Sequence, residues 1–307
     1  MLDSQTCTTC DSVVLNFSEN SLQLLDITLA VIMFGVALSL HVSDFRRVVQ
    51  APRAPLAGLL SQLVLLPALT LGLVWLLRPC PSMALGMLLV AACPGGNVSN
   101  FISLMARGNV ALSVSLTAIT TLGAIVMTPI NFAFWSSLYP SAAELLSRIR
   151  LDPWGVFEKV LLILALPLLL GMWVRHRFPA LADRIEKPMQ RISMVIFLGY
   201  VVAALTSNYD FFLRYVQYVF LIVLLHNALA FGGGYVWGRL WRLPEADSRT
   251  LAIETGIQNS GLALVVIFDK TLFNGLGGMA MIAALWGIWH ILAGMSLAYF
   301  WSRREPV

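Results

Sequence analysis

Apolar residues run along most of the chain in stretches long enough to cross a lipid bilayer. A helix needs about 20 mainly apolar residues to span the hydrocarbon core of a membrane. Nine stretches approach or exceed this length, near residues 22–42, 55–77, 83–107, 110–137, 155–174, 192–207, 214–238, 250–268 and 277–301. The pattern therefore predicts an all-α integral membrane protein of about nine transmembrane helices.

Two of these predicted spans carry helix-breaking and polar residues at their centres. The third contains Cys93-Pro94-Gly95-Gly96-Asn97-Val98-Ser99-Asn100, and the eighth contains Glu254-Thr255-Gly256-Ile257-Gln258-Asn259-Ser260-Gly261. Proline removes a backbone donor and glycine weakens a helix, so both helices should break. Unpaired backbone at membrane depth is tolerated only against protein or a water-filled cavity, so the two breaks should meet. Broken helices five spans apart run in opposite directions, which predicts inverted repeats around the binding site of a secondary transporter.

Composition and charge agree with a membrane location. The chain is 58% hydrophobic and 12% charged, with a mean hydropathy of +0.80, values that exclude a soluble globular protein. With the N-terminus outside and the C-terminus in the cytoplasm, most of the 20 Lys and Arg residues lie on the cytoplasmic side. The outer side then holds only Arg78, Arg148, Arg150, Lys159, Arg214 and Lys270.

These assignments predict a plasma or inner membrane protein with one multi-pass domain. An outer tail of residues 1–21 precedes the membrane domain at 22–302, and a cytoplasmic tail follows at 303–307. The net charge of +4 implies no nucleic-acid partner, because anionic inner-leaflet lipid attracts the same cations. Without a basic region or cleavage site before it, the first span should serve as its own signal.

The outer tail carries two cysteines and a sequon. Cys7 and Cys10 form a C-x-x-C, whereas Cys80 lies in a predicted outer loop and Cys93 lies within a span. A single C-x-x-C is weak evidence for a metal or redox site. Asn16 begins an Asn-Phe-Ser sequon, which matters only in a host that glycosylates.

Glu254 is the one acidic residue that lies deep within a predicted span. A charged side chain at the centre of a membrane helix costs about 2.5 to 3.5 kcal/mol, so it indicates a functional site. The sequence offers no Lys or Arg at that depth, and the counter-charge must be a proton or a bound cation. Nearby oxygen donors favour a hard cation. These donors are Gln62, Ser99, Asn100, Ser113, Thr117 and Gln258, the last placed one helical turn beyond Glu254.

Each donor alone has a structural alternative. Ser and Thr in membrane helices often bond to the carbonyl four residues earlier, and a lone Gln often bridges two helices. Ser113 and Thr117, however, are four residues apart and share one face of the fourth span. Together with the other donors around one buried acid, they favour a cation site.

The residues around both breaks, together with Ala106-Arg107-Gly108-Asn109-Val110-Ala111-Leu112-Ser113, resemble those of the bile acid:sodium symporters. The resemblance covers residues 25–300 and implies a core domain at about 55–137 and 214–301. A panel domain at about 22–42 and 155–207 would rock against that core to give alternating access. The resemblance also implies two sodium ions. One would be held by Ser99, Asn100, Ser113, Thr117 and Glu254, and the other by Gln62, Glu254, Gln258 and the backbone carbonyls of Thr255 and Ile257.

The substrate is expected to be a small organic anion. The half-helices that restart near Asn97 and Ser260 aim free N–H groups at the membrane centre, where they favour negative charge. Asn97 and Asn259 are therefore expected substrate contacts, and the resemblance adds His290. Many relatives carry Asn after that histidine, whereas this chain has Ile291. Bile acids, pantoate, pyruvate and other carboxylates remain open.

Other functional classes make different demands on the sequence. A proton-coupled or uncoupled carrier would use Glu254 as a proton relay, and replacement of sodium by choline at fixed pH distinguishes it. An enzyme would need a catalytic set such as His-x-x-x-His or Gly-x-Ser-x-Gly, which the sequence lacks. A passive channel has no need of a buried acid shared between two donor clusters. A transporter, not an enzyme, is predicted.

Overall fold

A computed structural model describes residues 7, 10–12, 30–31, 33–35, 37–38, 51–149, 153–207, 209–269 and 272–303. Its helices are α1 (Arg53–Leu60), α2 (Leu66–Leu77), α3 (Pro81–Ala92), α4 (Val98–Met105), α5 (Val110–Ser137), α6 (Pro140–Ile149), α7 (Pro153–Arg177), α8 (Pro179–Ser207), α9 (Tyr209–Leu240), α10 (Glu245–Gly256), α11 (Ser260–Phe268) and α12 (Gly277–Ser302). A π-helical segment, Ser61–Leu65, joins α1 to α2. The described residues are thus organised as helices.

Four continuous helices among the described residues are long and apolar enough to cross a membrane. They are Arg53–Leu77, Val110–Ser137, Leu213–Leu240 and Gly277–Ser302, and they confirm four predicted spans within a few residues. Helices α7 and α8 cover two more of the predicted spans, α8 beginning earlier than expected. The first predicted span is only partly described. The count of nine spans stays a prediction.

The third and eighth predicted spans are each divided into two helices. Helix α3 ends at Ala92 and α4 begins at Val98, whereas α10 ends at Gly256 and α11 begins at Ser260. Both interruptions fall where Pro, Gly and polar residues were expected to break the helix. Helix α6, in contrast, was not predicted, because it mixes apolar and charged residues and is too short to span.

The two breaks face each other and pair through their backbones. The Gly96 N–H donates to Ile257 O at 3.0 Å, and the Asn259 N–H donates to Pro94 O at 2.8 Å. Gly95 and Gln258 thereby form an antiparallel bridge. The unwound segments satisfy each other's polar groups, as their depth in a membrane protein requires. The expectation that the breaks meet is confirmed, while the inverted repeat of the whole halves stays a prediction.

Glycines allow the helices of this region to approach closely. A Cβ added at Gly86 of α3 would lie 2.8 Å from Met279 Cα of α12. A Cβ at Gly234 of α9 would lie 2.7 Å from Leu251 O of α10. Small residues at helix contacts are typical of membrane proteins, where close packing drives association. These contacts fix both broken helices against continuous neighbours.

The N-terminal tail is fastened to the start of α3. Cys7 forms a disulfide with Cys80, and the Ser82 N–H donates to Asp11 Oδ1 at 2.9 Å. Cys10 is a buried free thiol. The two cysteines of the C-x-x-C motif are therefore not paired with each other. Asn16 of the sequon lies outside the described residues.

Candidate functional site

Glu254 is fully buried in the last turn of α10, directly before the break. Its Oε1 accepts hydrogen bonds from the hydroxyls of Ser99 and Ser113, the latter at 2.5 Å. Thr117 Oγ1 lies 3.2 Å from Oε1 and 3.1 Å from Oε2. Gln62 Nε2 donates to Oε2 at 3.3 Å. Four of the predicted oxygen and amide donors thus contact the predicted acid.

Three helices and the π-helical segment bring these groups together. Ser99 and Asn100 lie in the first turn of α4, because that helix restarts just before them. Ser113 and Thr117 lie one turn apart on α5 and face the same carboxylate, as their spacing predicts. Gln62 lies in the π-helical segment.

The π-helical segment is a local irregularity of the kind that often marks functional sites. The Ser61 and Thr255 hydroxyls are 2.7 Å apart, which joins this segment to α10 beside Glu254. Asn131 of α5 donates through Nδ2 to Leu63 O at 3.0 Å, so a carbonyl of the segment has a partner. Ser61 and Asn131 were not predicted as site residues.

Several oxygen atoms lie close to Oε1 of the Glu254 carboxylate. Ser113 Oγ lies 2.5 Å from Glu254 Oε1 and 2.8 Å from Asn100 Oδ1. A hydroxyl has one hydrogen, so one of these two close oxygen pairs has no hydrogen between its atoms. Thr117 Oγ1 shares its one hydrogen between the two carboxylate oxygens. A cation among these oxygens would relieve their repulsion.

Two more side chains, Gln62 and Gln258, have polar contacts to Glu254, through its carboxylate and its carbonyl oxygen respectively. Gln62 Oε1 and Gln258 Oε1 are buried and have no hydrogen-bond partner within the described part of the chain. A buried polar atom without a partner costs about 1 to 3 kcal/mol. Gly95 pairs with Gln258 through its backbone, and a Cβ there would be 3.3 Å from Gln62 Oε1 and 3.1 Å from Glu254 Oε2. These oxygens, like those of the hydroxyl groups, are of the kind that binds a hard cation.

The expected backbone ligands of the second sodium ion already have partners. Thr255 O accepts from Gln258 Nε2 at 2.9 Å, and Ile257 O accepts from Gly96 N at 3.0 Å. A carbonyl oxygen has two lone pairs, so each can still face a cation. The placement of Gln258 one helical turn beyond Glu254 was wrong, because α10 ends at Gly256 and Gln258 lies in extended backbone of the break.

The predicted substrate residues Asn97 and Asn259 occupy equivalent places at the starts of α4 and α11. Both are half-buried. Asn259 Oδ1 accepts from Leu262 N at 3.0 Å, whereas Asn97 makes no side-chain capping bond. His290 is buried in α12, where its Nδ1 donates to Trp286 O. The structure therefore brings the two asparagines to the break and gives His290 a partner within its own helix.

No ion pair among the described residues involves Glu254. The described pairs join Arg175 to Asp183 and Glu186, and Arg239 and Arg249 to Glu245. The described residues also contain no cluster of three His, Cys, Asp or Glu side chains. Hydroxyl, amide and carbonyl oxygens around one carboxylate suit a hard cation better than a soft transition metal.

Sequence reasoning missed Asn227 as a supporting residue of the break. Its Nδ2 donates to Gly256 O at 2.8 Å, so it satisfies the last carbonyl of α10. Asn227 is fully buried, and it follows His226 in the middle of an otherwise apolar span. Like Gln62, it is an amide within an apolar span, and such a side chain usually bonds to a neighbouring helix.

Apolar spanning helices and two paired breaks beside a buried acid are features of a membrane transporter. Comparison with known proteins agrees with this class. The model of the sodium bile acid symporter family matches residues 26–214, more than half of the 307-residue chain. The chain belongs to this family.

Individual relatives are transporters and not enzymes. The chain is 30% identical over 296 residues to an uncharacterized sodium-dependent transporter of Bacillus subtilis, covering 95% of this chain and 88% of the relative. It is 33% identical over 281 residues to a probable chloroplast sodium/metabolite cotransporter of Arabidopsis thaliana, covering 91% of this chain and 66% of the relative. It is 27% identical over 263 residues to human sodium/bile acid cotransporter 4, covering 85% of this chain and 59% of that longer protein.

Proposed function

We propose that this protein is a secondary active symporter that couples two sodium ions to the uptake of a small organic anion. The observation that carries the proposal is the Glu254 carboxylate, fully buried and surrounded by neutral oxygen-bearing side chains. A buried carboxylate without a partner of opposite charge is costly in a membrane, so a cation is its expected companion.

The first sodium ion would lie between Glu254 and the oxygens of Ser99, Asn100, Ser113 and Thr117. These oxygens form more close pairs than their hydroxyl groups have hydrogens to place between them. A cation there would compensate for the missing hydrogens. The second would use Glu254, Gln62, Gln258 and the carbonyls of Thr255 and Ile257. The partnerless oxygens of Gln62 and Gln258 support this second site independently.

The anion would bind beside the paired breaks. Helices α4 and α11 begin there, at Asn97 and Asn259, and their first N–H groups favour negative charge. Two cations nearby would strengthen that preference. The names of these relatives, which refer to sodium, metabolites and bile acid, are compatible with an organic anion. His290 is proposed as a further contact on resemblance alone.

Alternating access would come from motion of the panel against the core. Leu168 of α7 packs with Ala118 of α5 and Ala37 of the first predicted span, so panel and core helices meet at an apolar surface. Packed helices at such a surface can slide or rock against each other. We propose that the broken helices move as one unit, because their breaks are paired.

The alternative, a proton-coupled carrier, uses the same carboxylate differently. A proton on Glu254 would add one hydrogen to the crowded oxygens and leave Gln62 Oε1 and Gln258 Oε1 without partners. Sodium therefore accounts for more of the geometry than a proton does.

The test uses purified protein in proteoliposomes with a panel of radiolabelled monocarboxylates and bile acids. Sodium gradients are compared with choline gradients at fixed pH and ionic strength. Uptake of at least one anion should require sodium. Glu254→Gln should abolish this sodium-dependent uptake. Glu144→Gln, which changes an exposed carboxylate on α6, is the matched control and should transport normally.

Two results would contradict the proposal. Uptake that is equal in choline and sodium but follows a pH gradient would establish proton coupling. Sodium-driven uptake by folded Glu254→Gln at the wild-type rate would remove the carboxylate from the cation site.

A further inference from the structure

A second set of polar contacts joins α10 to the turn before α5, close to the Glu254 site. The Asn109 N–H donates to Thr250 Oγ1 at 2.8 Å, and Asn109 Nδ2 donates to Asp247 Oδ1 at 2.8 Å. Gly108 makes this approach possible, since a Cβ there would lie 2.6 Å from Thr250 Oγ1. The two chain segments are therefore in direct contact, and a side chain at position 108 would separate them.

On each of the two helices, these contacts lie four residues before the contact between Ser113 and Glu254. Ser113 follows Asn109 by four residues, and its N–H donates to Asn109 O at 3.0 Å. Glu254 follows Thr250 by four residues on α10. Residues four apart lie on the same helix face, about 6 Å along the axis. The pair Asn109–Thr250 and the pair Ser113–Glu254 are thus successive cross-links between the same two helix faces.

The end of α4 is held at the same place. Arg249 is 3% exposed, and its Nη1 donates to Ala106 O at 3.1 Å and to Trp301 O at 3.3 Å. Ala106 directly follows α4, which carries Ser99 and Asn100. The two helices that supply hydroxyls to Glu254 are therefore connected to α10 at Arg249 and Thr250, five and four residues before the carboxylate.

We propose that Asn109 and Thr250 are positioning residues for the sodium site: they fix the register of α5 against α10 and so hold Ser113 beside Glu254. The inference rests on the proposed sodium coupling. Ligands of a site must be held within about 0.5 Å of their productive geometry. Loss of the contacts that orient metal ligands typically lowers metal affinity about 10- to 100-fold.

The decisive variant is Thr250→Val, which keeps the shape of the side chain and removes the oxygen that accepts from Asn109. Thr250→Ser restores that oxygen. Thr120→Val is the matched control, because Thr120 is also buried and its hydroxyl bonds to Leu116 O and Thr117 O of its own helix. Sodium is titrated against choline at constant ionic strength without substrate, and the unfolding temperature is measured at each concentration.

Thr250→Val should raise the sodium concentration for half-maximal stabilisation about tenfold. Thr250→Ser and Thr120→Val should remain near the wild type. In transport, Thr250→Val should shift the half-saturating sodium concentration by a similar factor, while its maximal rate at saturating sodium stays within about twofold of the wild type. A purely structural role would lower the unfolding temperature in choline and leave the sodium midpoint unchanged.

An unchanged sodium midpoint in folded Thr250→Val would overturn the inference. Should that variant not fold, Thr250→Ala removes the same oxygen without adding a methyl group, and an unchanged midpoint there overturns the inference equally. Failure of the proposed function would look different, since the wild type itself would then show no stabilisation by sodium. A sodium response that Glu254→Gln abolishes and Thr250→Val leaves intact would reject only the positioning role.

Discussion

Two asparagines start the second halves of the broken helices, and their side chains have different tasks. Asn259 caps α11 through Leu262 N, whereas Asn97 makes no capping bond to α4. Removal of an N-cap costs about 0.5 to 2 kcal/mol of stability. The Asn97 side chain does not cap its helix, so its amide is available to bind a ligand.

Asn97→Ala should therefore weaken anion binding with little loss of stability. Sodium affinity measured without substrate should stay near the wild type, because Asn97 does not contact Glu254 in the described structure. Anion affinity and sodium affinity are measured separately by calorimetry, with Asn259→Ala as the comparison that also loses a cap. A large fall in intrinsic sodium affinity would place Asn97 in the cation site.

Gln258 provides a test of the number of ions. The leucine in Gln258→Leu has no oxygen for the second sodium and leaves the hydroxyls around the first untouched. The Hill coefficient can reach the number of cooperating sites, so it should fall from about two towards one. Sodium dependence of uptake at saturating anion gives this value. A wild-type coefficient near one would argue against the second ion.

At the scale of the elements, the paired breaks leave space that only glycine preserves. Gly95 has no backbone strain that requires glycine, since its φ is not positive. A methyl group there would nevertheless lie 3.1 Å from Glu254 Oε2 and 3.3 Å from Gln62 Oε1. It would occupy the space proposed for the second cation.

Gly95→Ala should lower sodium-dependent uptake at least about tenfold, by analogy with other losses of metal-site geometry. Gly72→Ala is the matched control, because a Cβ at Gly72 of α2 meets nothing within 4 Å. Alanine is favoured over glycine within a helix by about 1 kcal/mol, so this control should fold at least as well as the wild type. Normal uptake by folded Gly95→Ala would show that the space does not hold the ion.

The sequence predicted four continuous spans and the two breaks well because both depend on local chemistry. Lipid requires long apolar runs, and Pro94 with Gly95 and Gly96 ends a helix in any surroundings. The acid and its donors were predictable for a related reason: polar groups are costly in an apolar span, so Glu254 and Gln62 stand out from their neighbours.

Features that depend on tertiary contacts were not predictable. The π-helical segment Ser61–Leu65 has no distinctive composition, and its Ser61 contacts Thr255 nearly two hundred residues later. The pairing of Cys7 with Cys80 was equally hidden, because cysteine spacing does not determine connectivity. The predicted position of Gln258 was wrong because it assumed that the helix continues beyond Gly256, where α10 ends.

For the whole molecule, the proposed stoichiometry has an electrical consequence. Two sodium ions that enter with one monovalent carboxylate carry one net positive charge inward, while Glu254 remains with the protein. Moving one charge through 100 mV is worth about 2.3 kcal/mol, nearly fiftyfold in accumulation. An inside-negative potential should therefore stimulate uptake strongly.

Proteoliposomes with fixed sodium and carboxylate gradients provide the measurement. Potassium and valinomycin set the potential to zero or to a negative value. Equal uptake at both potentials, for a substrate known to be monovalent, would indicate one sodium per anion or none. The site of Gln62 and Gln258, with fewer side-chain oxygens than the first, would then be the one to reject.

The disulfide between the tail and the start of α3 also restricts how the chain threads through the bilayer. A covalent bond of this length cannot bridge the membrane, so Cys7 and Cys80 share one side and the chain between them crosses an even number of times. Two spans are predicted in that interval, which is an even number. The disulfide therefore supports this part of the topology independently of the distribution of charged residues. Because disulfides persist in oxidising compartments, the shared side is expected to be the outer one.

That expectation can be checked on intact cells with a membrane-impermeant reductant followed by an impermeant maleimide. Cys7, which is half-buried, should be labelled only after reduction. Burial raises the pKa of the Cys10 thiol to about 12, so this neighbour should stay unreactive and not confuse the result. Labelling that appears only after the membrane is permeabilised would place the pair inside and reverse the threading of the whole chain.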